Sequence, residues 1–285
     1  MYSKINEFCK VKNVGNVYNN TDEPTPRVKF LLELLDSEGI KYELDKFPIK
    51  RYEYDESDFD ELDFDEFYSN YRSFCKYRKH NENKKNKDSK CFGYNIILKG
   101  TSDKMVSAHH DIVNPNSDNA NDNSASVINA IMVKKLMPEI NVVLLDGEEF
   151  GGLGSQRCSD LIKEGKFGNI KWVLNFELTG LGGKYFFIGN YPGELFNHIK
   201  RLFNCPVRQT LYNDSVTFRQ NGIDSCVINT LPPTNGDESR VKWDENIYLD
   251  DSIIFNCHSS KDSLDTINID DMKEFVEKVA LKILK

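Results

Sequence analysis

The 285-residue sequence lacks any apolar run near the roughly 18 residues that a membrane-spanning helix requires. Its first residues, MYSKINEFCKVKN, are polar and charged, so they lack the apolar core of a secretory signal. Together with the initial Met, these absences predict a cytoplasmic protein without a membrane partner. A mature chain whose signal has been removed is the alternative, and the initial Met argues against it.

Cysteine pairs of the metal-binding type are also absent. The seven cysteines, at positions 9, 75, 91, 158, 205, 226 and 257, include no CxxC pair, and their number is odd. This distribution predicts reduced thiols and excludes a thiolate zinc site or a disulfide framework. The sequence has no Gly-rich phosphate loop, and a net charge of −8 disfavours nucleic acid as a partner.

The composition that remains, 39% hydrophobic and 29% charged, is typical of a globular protein. We interpret residues 1–285 as a single domain with an irregular lead over 1–20 and a charged insertion over 51–90. The insertion joins an acidic, aromatic block, YEYDESDFDELDFDEF, to the basic block YRSFCKYRKHNENKKNKDSK. A solvated surface segment is the favoured interpretation of the insertion, and a lid or an assembly element is the alternative.

Strands and helices alternate along most of the chain, which predicts an α/β sheet covered on both faces. Apolar periodicity and turn residues predict helices near 27–36, 122–135, 152–165, 192–203, 215–220 and 270–284. They predict strands near 40–47, 95–99, 105–109, 141–145, 171–176, 184–188 and 223–228. In such sheets, sites form beyond the carboxyl ends of the strands.

The stretch SAHHDIVNPNSDNANDNSAS, residues 107–126, concentrates candidate metal ligands. His109 and Asp111 form a His-x-Asp pair after a strand-like run, and Asp122 stands where we expect a helix to begin. A carboxylate at a helix start meets free backbone N–H groups. Imidazole and carboxylate are ligands that Zn²⁺ accepts. Taken alone, this stretch is equally consistent with an ordinary loop that contains a histidine.

Three further features follow apolar strands or occupy loops. Glu148 and Glu149 form an adjacent pair between a buried strand and a Gly-rich turn, and a metal hydrolase needs both a ligand and a separate base. Glu177 ends the apolar run WVLNFE, where a buried carboxylate needs a cation or hydrogen-bond donors. His258 lies in a polar loop before the last helix. An acidic surface turn and an isolated loop histidine are the alternatives.

In this order, the residues resemble the zinc aminopeptidase family often called M28, relatives of bacterial leucyl aminopeptidase and glutaminyl cyclase. The matching motifs cover about residues 93 to 285 and are HHD, NDNSAS, DGEEFGGLGS, NFELTG and CHSSKDSLDTI. The resemblance implies a zinc exopeptidase-like catalytic domain, a three-layer αβα fold with a central mixed, mostly parallel sheet.

The resemblance also implies a role for each residue. Five ligands would hold two zinc ions: His109 and Glu177 at one, Glu149 and His258 at the other, and Asp122 between them. Glu148 would be the general base, and Asp111 would orient His109.

Two departures from the family pattern concern the same site. Glu177 stands where Asp is usual, which lengthens that ligand by one methylene. Asn213-Asp214-Ser215 replaces the family's Ser-Asp-His, so the histidine on the substrate side is absent. In some members of the family, a tyrosine stabilises the developing oxyanion. Tyr212 lies near that position.

The resemblance implies a zinc-dependent aminopeptidase that removes N-terminal residues from peptides with a free N-terminus. Two ions roughly 3.5–4 Å apart would activate one water and polarise the scissile carbonyl. A glutaminyl cyclase-like zinc acyltransferase is the nearest alternative, and a non-catalytic binding protein that keeps the peptidase fold is another.

Overall fold

The computed structural model describes residues 1–12, 23–49, 91–234 and 249–285. The strands are β1 Glu43–Ile49, β2 Cys91–Leu98, β3 Lys104–His109, β4 Asn141–Leu145, β5 Trp172–Phe176, β6 Phe186–Gly189, β7 Val207–Arg208 and β8 Ser225–Thr230. The helices are α1 Ile5–Cys9, α2 Pro26–Ser37, α3 Ala125–Leu136, α4 Leu153–Lys163, α5 Glu194–Leu202 and α6 Asp214–Gln220. A final helical run, α7, joins Ile269–Glu274, Phe275–Ala280 and Leu281–Leu284.

The strands form one mixed sheet in the order β1-β2-β4-β3-β5-β8-β6-β7. Its centre is parallel, because β3 pairs with both β4 and β5, and β5 pairs with β8. Strands β1 and β2 join one side in antiparallel pairs, and β6 joins β8 in the same way. Every residue of β4 and β5 is buried, as expected for central parallel strands covered on both faces.

Alternate residues of the central strands pack into two separate cores. Val142 and Leu144 face a core that includes residues of α1, α2, α3, α5 and α7. Val143 and Leu145 face the opposite core with residues of α4 and α6. Helices therefore cover both faces, and the predicted three-layer αβα architecture with a mostly parallel sheet is confirmed.

The N-terminal lead is helical in its described part, so the expectation of an irregular lead is wrong there. A 3-10 turn, Tyr2–Lys4, leads into α1, which buries Ile5, Phe8 and Cys9. Residues 13–22 of the lead lie outside the described residues, and so does the charged insertion predicted over 51–90. In the described ranges, every helix is too short or too polar to span a bilayer.

Helix α3 begins later than the sequence indicates. Asp122 has φ −107° and ψ 89°, and regular α-helix begins only at Ala125. The expectation that Asp122 stands at the helix start is therefore wrong. The local pattern of small and polar residues fits a helix start, but the side chains of this segment bond to other loops instead. Asp122 thus lies on a non-helical turn just before the helix.

Candidate metal centre

The candidate ligands meet at the carboxyl edge of the parallel strands. His109 is the last residue of β3, Glu177 directly follows β5, and the Glu148-Glu149 pair lies in the turn after β4. Because β4, β3 and β5 are neighbours in the sheet, these three ends lie side by side. His258 comes from a turn that follows the 3-10 helix Asp251–Asn256.

His109, Asp122 and Glu177 form what we call the strand-end cluster. The Nε2 atom of His109 lies 3.1 Å from Glu177 Oε1 and 3.2 Å from Asp122 Oδ1. Their ligand atoms all lie within 4.8 Å of one another, which is close enough for one metal ion. His109 is 1% exposed, so its imidazole is fixed within the protein.

Asp122, Glu149 and His258 form the loop cluster. The Nε2 atom of His258 lies 2.8 Å from Glu149 Oε2 and 3.3 Å from Asp122 Oδ2. Asp122 therefore turns one oxygen to each imidazole, Oδ1 to His109 and Oδ2 to His258. A carboxylate placed in this way can serve two neighbouring metal positions at once.

Asp111 connects the histidine to the glutamate pair. Its Oδ1 lies 3.4 Å from His109 Nδ1, on the side of the ring away from the strand-end carboxylates. The same carboxylate accepts hydrogen bonds from the backbone N–H groups of Glu148 and Glu149, each at 3.1 Å. Asp111 thus fixes the backbone of the glutamate turn and lies beside the imidazole of His109. Its role in orienting His109 stays a prediction.

The charges of the two histidines depend on the carboxylates around them. Burial disfavours the charged form of His109, but Glu177, Asp111 and Asp122 outweigh burial and raise its pKa well above the ordinary value. Burial likewise opposes the charge on His258, and Glu149 and Asp122 raise its pKa well above normal. Each imidazole is thus a basic group that must lose a proton before it can bind a metal.

The pKa values of the carboxylates shift in opposite directions, depending on their surroundings. Burial would raise the pKa of Asp122, yet its hydrogen bonds with both histidines hold that pKa far below the ordinary value. Burial raises the pKa of Glu148 well above its usual range, with His109 opposing. Burial also raises the pKa values of Glu149 and Glu177, although the nearby histidines oppose each shift. A buried glutamate with a raised pKa is suited to accept a proton near neutral pH.

Asp262 supports the Asp122 turn, a role for which sequence reasoning gave no prediction. Its two oxygens accept the backbone N–H groups of Asn121 (2.9 Å) and Asp122 (3.0 Å). Burial raises the pKa of Asp262 to about 6, with Asp122 adding to the shift. The signal was its position four residues after His258 in the motif CHSSKDSLDTI.

Asn121 and Asn123 hold the segment that carries Glu177. The amide of Asn123 donates to the carbonyl of Phe176 and accepts from the N–H of Leu178, so it bonds to both neighbours of Glu177. The Oδ1 of Asn121 accepts from the N–H of Gly180. The residues on either side of Asp122 therefore place the strand-end glutamate. Sequence reasoning missed both asparagines, because an NDN string in a loop is also typical of an ordinary turn.

Tyr212 and Asp214 lie beside the centre but belong to neither cluster. The Tyr212 side chain is 47% exposed, and its hydroxyl donates to the Gly151 carbonyl and contacts Thr217 Oγ1. Asp214 is completely buried in the first turn of α6, and burial raises its pKa to about 7. The oxyanion role considered for Tyr212 stays a prediction.

The model of peptidase family M28 matches residues 95–282, which include both clusters and most of the sheet. The chain belongs to peptidase family M28. No curated protein sequence gives a match to this M28 chain.

Solved structures show the same fold at low sequence identity. A zinc aminopeptidase from Bacillus subtilis is 18% identical, with a TM-score of 0.52; the alignment covers 70% of this chain and 50% of that one. The LapA aminopeptidase of Legionella pneumophila is 14% identical, with a TM-score of 0.60, over 99% of this chain and 70% of that one. Porphyromonas gingivalis glutaminyl cyclase is 16% identical, with a TM-score of 0.63, over 99% of this chain and 96% of that one. This M28 chain spans half the length of the Bacillus structure that it matches.

The donor set of this M28 chain fits a divalent cation. Two imidazoles and several carboxylates converge, which is a nitrogen and oxygen set that zinc accepts. Among the described residues, Glu149 Oε1 is buried without a hydrogen-bond partner, although the opposite oxygen pairs with His258. An unpaired buried carboxylate oxygen is costly. A cation between Asp122, Glu149 and His258 would satisfy it.

Proposed function

We propose that this chain is a zinc-dependent aminopeptidase that hydrolyses N-terminal residues from peptides and holds two ions per chain. The observation that carries the proposal is the placement of Asp122, whose two oxygens face two different histidines. His109 and Glu177 would complete one ion's ligand set, and Glu149 and His258 the other. Bound zinc would polarise the scissile carbonyl and make the attacking water more acidic.

Glu148 is the proposed general base. It is 9% exposed, it shares a group of close ligand atoms with His109 and Glu149, and burial raises its pKa. Its carboxylate would accept the proton of the attacking water and deliver it to the leaving amine. Asp111 accepts hydrogen bonds from the backbone N–H groups of Glu148 and Glu149, which holds the turn that carries both side chains. The surrounding carboxylates would attract the free α-amino group of the peptide.

The two adjacent glutamates provide the test. Glu148→Gln keeps the shape of the side chain but removes the base, so it should keep its zinc and lose roughly 10²–10⁴-fold in turnover. Glu149→Gln weakens a ligand, so it should lose zinc first and recover part of its activity when zinc is added. Zinc content and turnover on a panel of aminoacyl amides should be measured for both variants. Full activity in both would refute the proposed site.

A glutaminyl cyclase-like reaction is the second candidate. The lengths of the matched proteins favour this reaction. The alignment with this chain covers 96% of the Porphyromonas cyclase but only 50% of the Bacillus aminopeptidase. Peptides with N-terminal Gln separate the two activities, because cyclisation releases ammonia and leaves a pyroglutamyl peptide, whereas hydrolysis releases free Gln. A zinc content near one per chain would also favour the cyclase. Zinc binding without either reaction would favour a non-catalytic binding protein.

A further inference from the structure

Arg27 is a buried cation that touches the segments of two candidate ligands. It lies in the first turn of α2, at a position far before the residues that match the family model. Its side chain is among the largest that are fully buried, with the residue 1% exposed. A charged group is seldom placed in a protein interior unless its donors are all used.

Two hydrogen bonds of Arg27 go to residues that lie close in sequence to candidate metal ligands. Nε donates to the carbonyl of His110 at 2.8 Å, and Nη2 donates to the hydroxyl of Ser124 at 2.9 Å. His110 lies between His109 and Asp111, and Ser124 lies two residues after Asp122. The guanidinium therefore connects the end of β3 to the turn that carries the shared aspartate.

The remaining contacts fix the guanidinium itself. Nη1 donates to the carbonyls of Phe8 (3.3 Å) and Val11 (3.2 Å), and the group lies 3.9 Å from the centroid of the Phe8 ring. Burial lowers the pKa of Arg27 to about 10, with Cys9 and Asp111 opposing, so it is charged at neutral pH. A planar guanidinium offers donors in fixed directions, which a lysine ammonium lacks.

We propose that Arg27 is a positioning residue for the metal centre, which sets the placement of His109 relative to Asp122. The inference rests on the proposed function, since it presumes that zinc occupies the strand-end cluster. It also makes the N-terminal segment part of the site, because Phe8 and Val11 hold the guanidinium in place. Residues that hydrogen-bond to metal ligands or to their backbone often control the affinity for the metal, because they fix the direction of the ligand atoms.

Arg27→Lys is the decisive variant, because it keeps the charge but cannot bond to His110 and Ser124 in the same geometry. Zinc affinity should fall roughly 10- to 100-fold, as measured by competition with a chromophoric chelator. The visible absorption spectrum of the cobalt(II)-loaded protein should also change, since that spectrum reports ligand geometry. Ser124→Ala removes the hydroxyl that accepts from Arg27 and leaves the guanidinium in place. It should give a smaller change in the same direction, even where Arg27→Lys folds poorly.

Lys134→Met is the matched control. Lys134 is also a buried cation, and its ammonium donates to the carbonyls of Lys99, Pro138 and Ile140 at the other end of α3. The variant should lower stability in chemical denaturation but leave zinc affinity and the cobalt spectrum unchanged. A loss of affinity that appears equally in Lys134→Met would show a general effect of destabilisation and overturn the inference.

The two proposals fail in different ways. If the parent protein binds no zinc, the proposed function fails. If the parent binds zinc and both Arg27→Lys and Ser124→Ala keep the parent's affinity and cobalt spectrum, the function stands and Arg27 has no positioning role.

Discussion

The strand-end cluster and the loop cluster present the same types of candidate ligand on different kinds of backbone support. His109 ends a central strand and is 1% exposed, and Asn123 holds both neighbours of Glu177. In the loop cluster, the His258 side chain is 28% exposed and its backbone has a positive φ of 59°. A left-handed conformation is disfavoured for a residue other than glycine by roughly 1–3 kcal/mol.

In the proposed two-ion site, the shared Asp122 would serve two unequal positions. Ligands on strands need little reorganisation when an ion binds, whereas a partly exposed loop residue must be ordered at an entropic cost. We therefore expect the strand-end cluster to bind its ion more tightly than the loop cluster. Substitutions in the two clusters and a change of pH test this comparison.

The largest effect is expected from Asp122→Asn, because it weakens both clusters at once. The amide is neutral and presents only one oxygen, so both ions should be lost during buffer exchange, as measured by elemental analysis. Asp118→Asn is the matched control on the same loop, since that carboxylate pairs with Lys12 and bonds to the N–H of Leu264. Retention of two ions by Asp122→Asn would show that the aspartate is not shared.

An intermediate effect should separate the two histidines. His258→Ala should empty the loop cluster and leave the strand-end ion in place, because the ligands of that ion lie on other segments. His109→Ala should weaken binding at both positions, since it also removes the partner of Asp111, which holds the Glu148-Glu149 turn. Chelator titration of each variant gives the number and affinity of the remaining ions. Equal losses in both would contradict the proposed difference in rigidity.

The most gradual effect concerns pH. The carboxylates raise the pKa of both histidines in the ion-free protein, so each keeps its proton to a higher pH than an ordinary histidine. Zinc must displace these protons, so zinc affinity should rise with pH by up to about tenfold per unit for each proton displaced. Calorimetric zinc titrations in buffers of different ionisation enthalpy count the released protons. Affinity that is independent of pH near neutrality would show that neither histidine has a proton for zinc to displace, which would contradict the raised pKa values.

Regular elements follow from the sequence wherever one local pattern dominates. Strand β4 is predicted at its observed bounds, Asn141–Leu145, because a short, nearly continuous apolar run is typical of a buried central strand in a parallel sheet. The predicted helix over 122–135 begins too early, at a residue whose local pattern fits a helix start. Asp262 bonds to the backbone there, and it is distant in sequence.

Local patterns predict the alternating order of strands and helices and the candidate ligands at strand ends, since periodicity and residue chemistry are local properties. The packing of distant segments sets which oxygen of Asp122 faces which histidine, how Asn123 holds the segment of Glu177, and where Arg27 lies. Asn123 and Phe176 are 53 positions apart in the sequence, and Arg27 and Ser124 are 97 positions apart. Such pairings depend on how the layers pack together, and no local pattern in the chain encodes them.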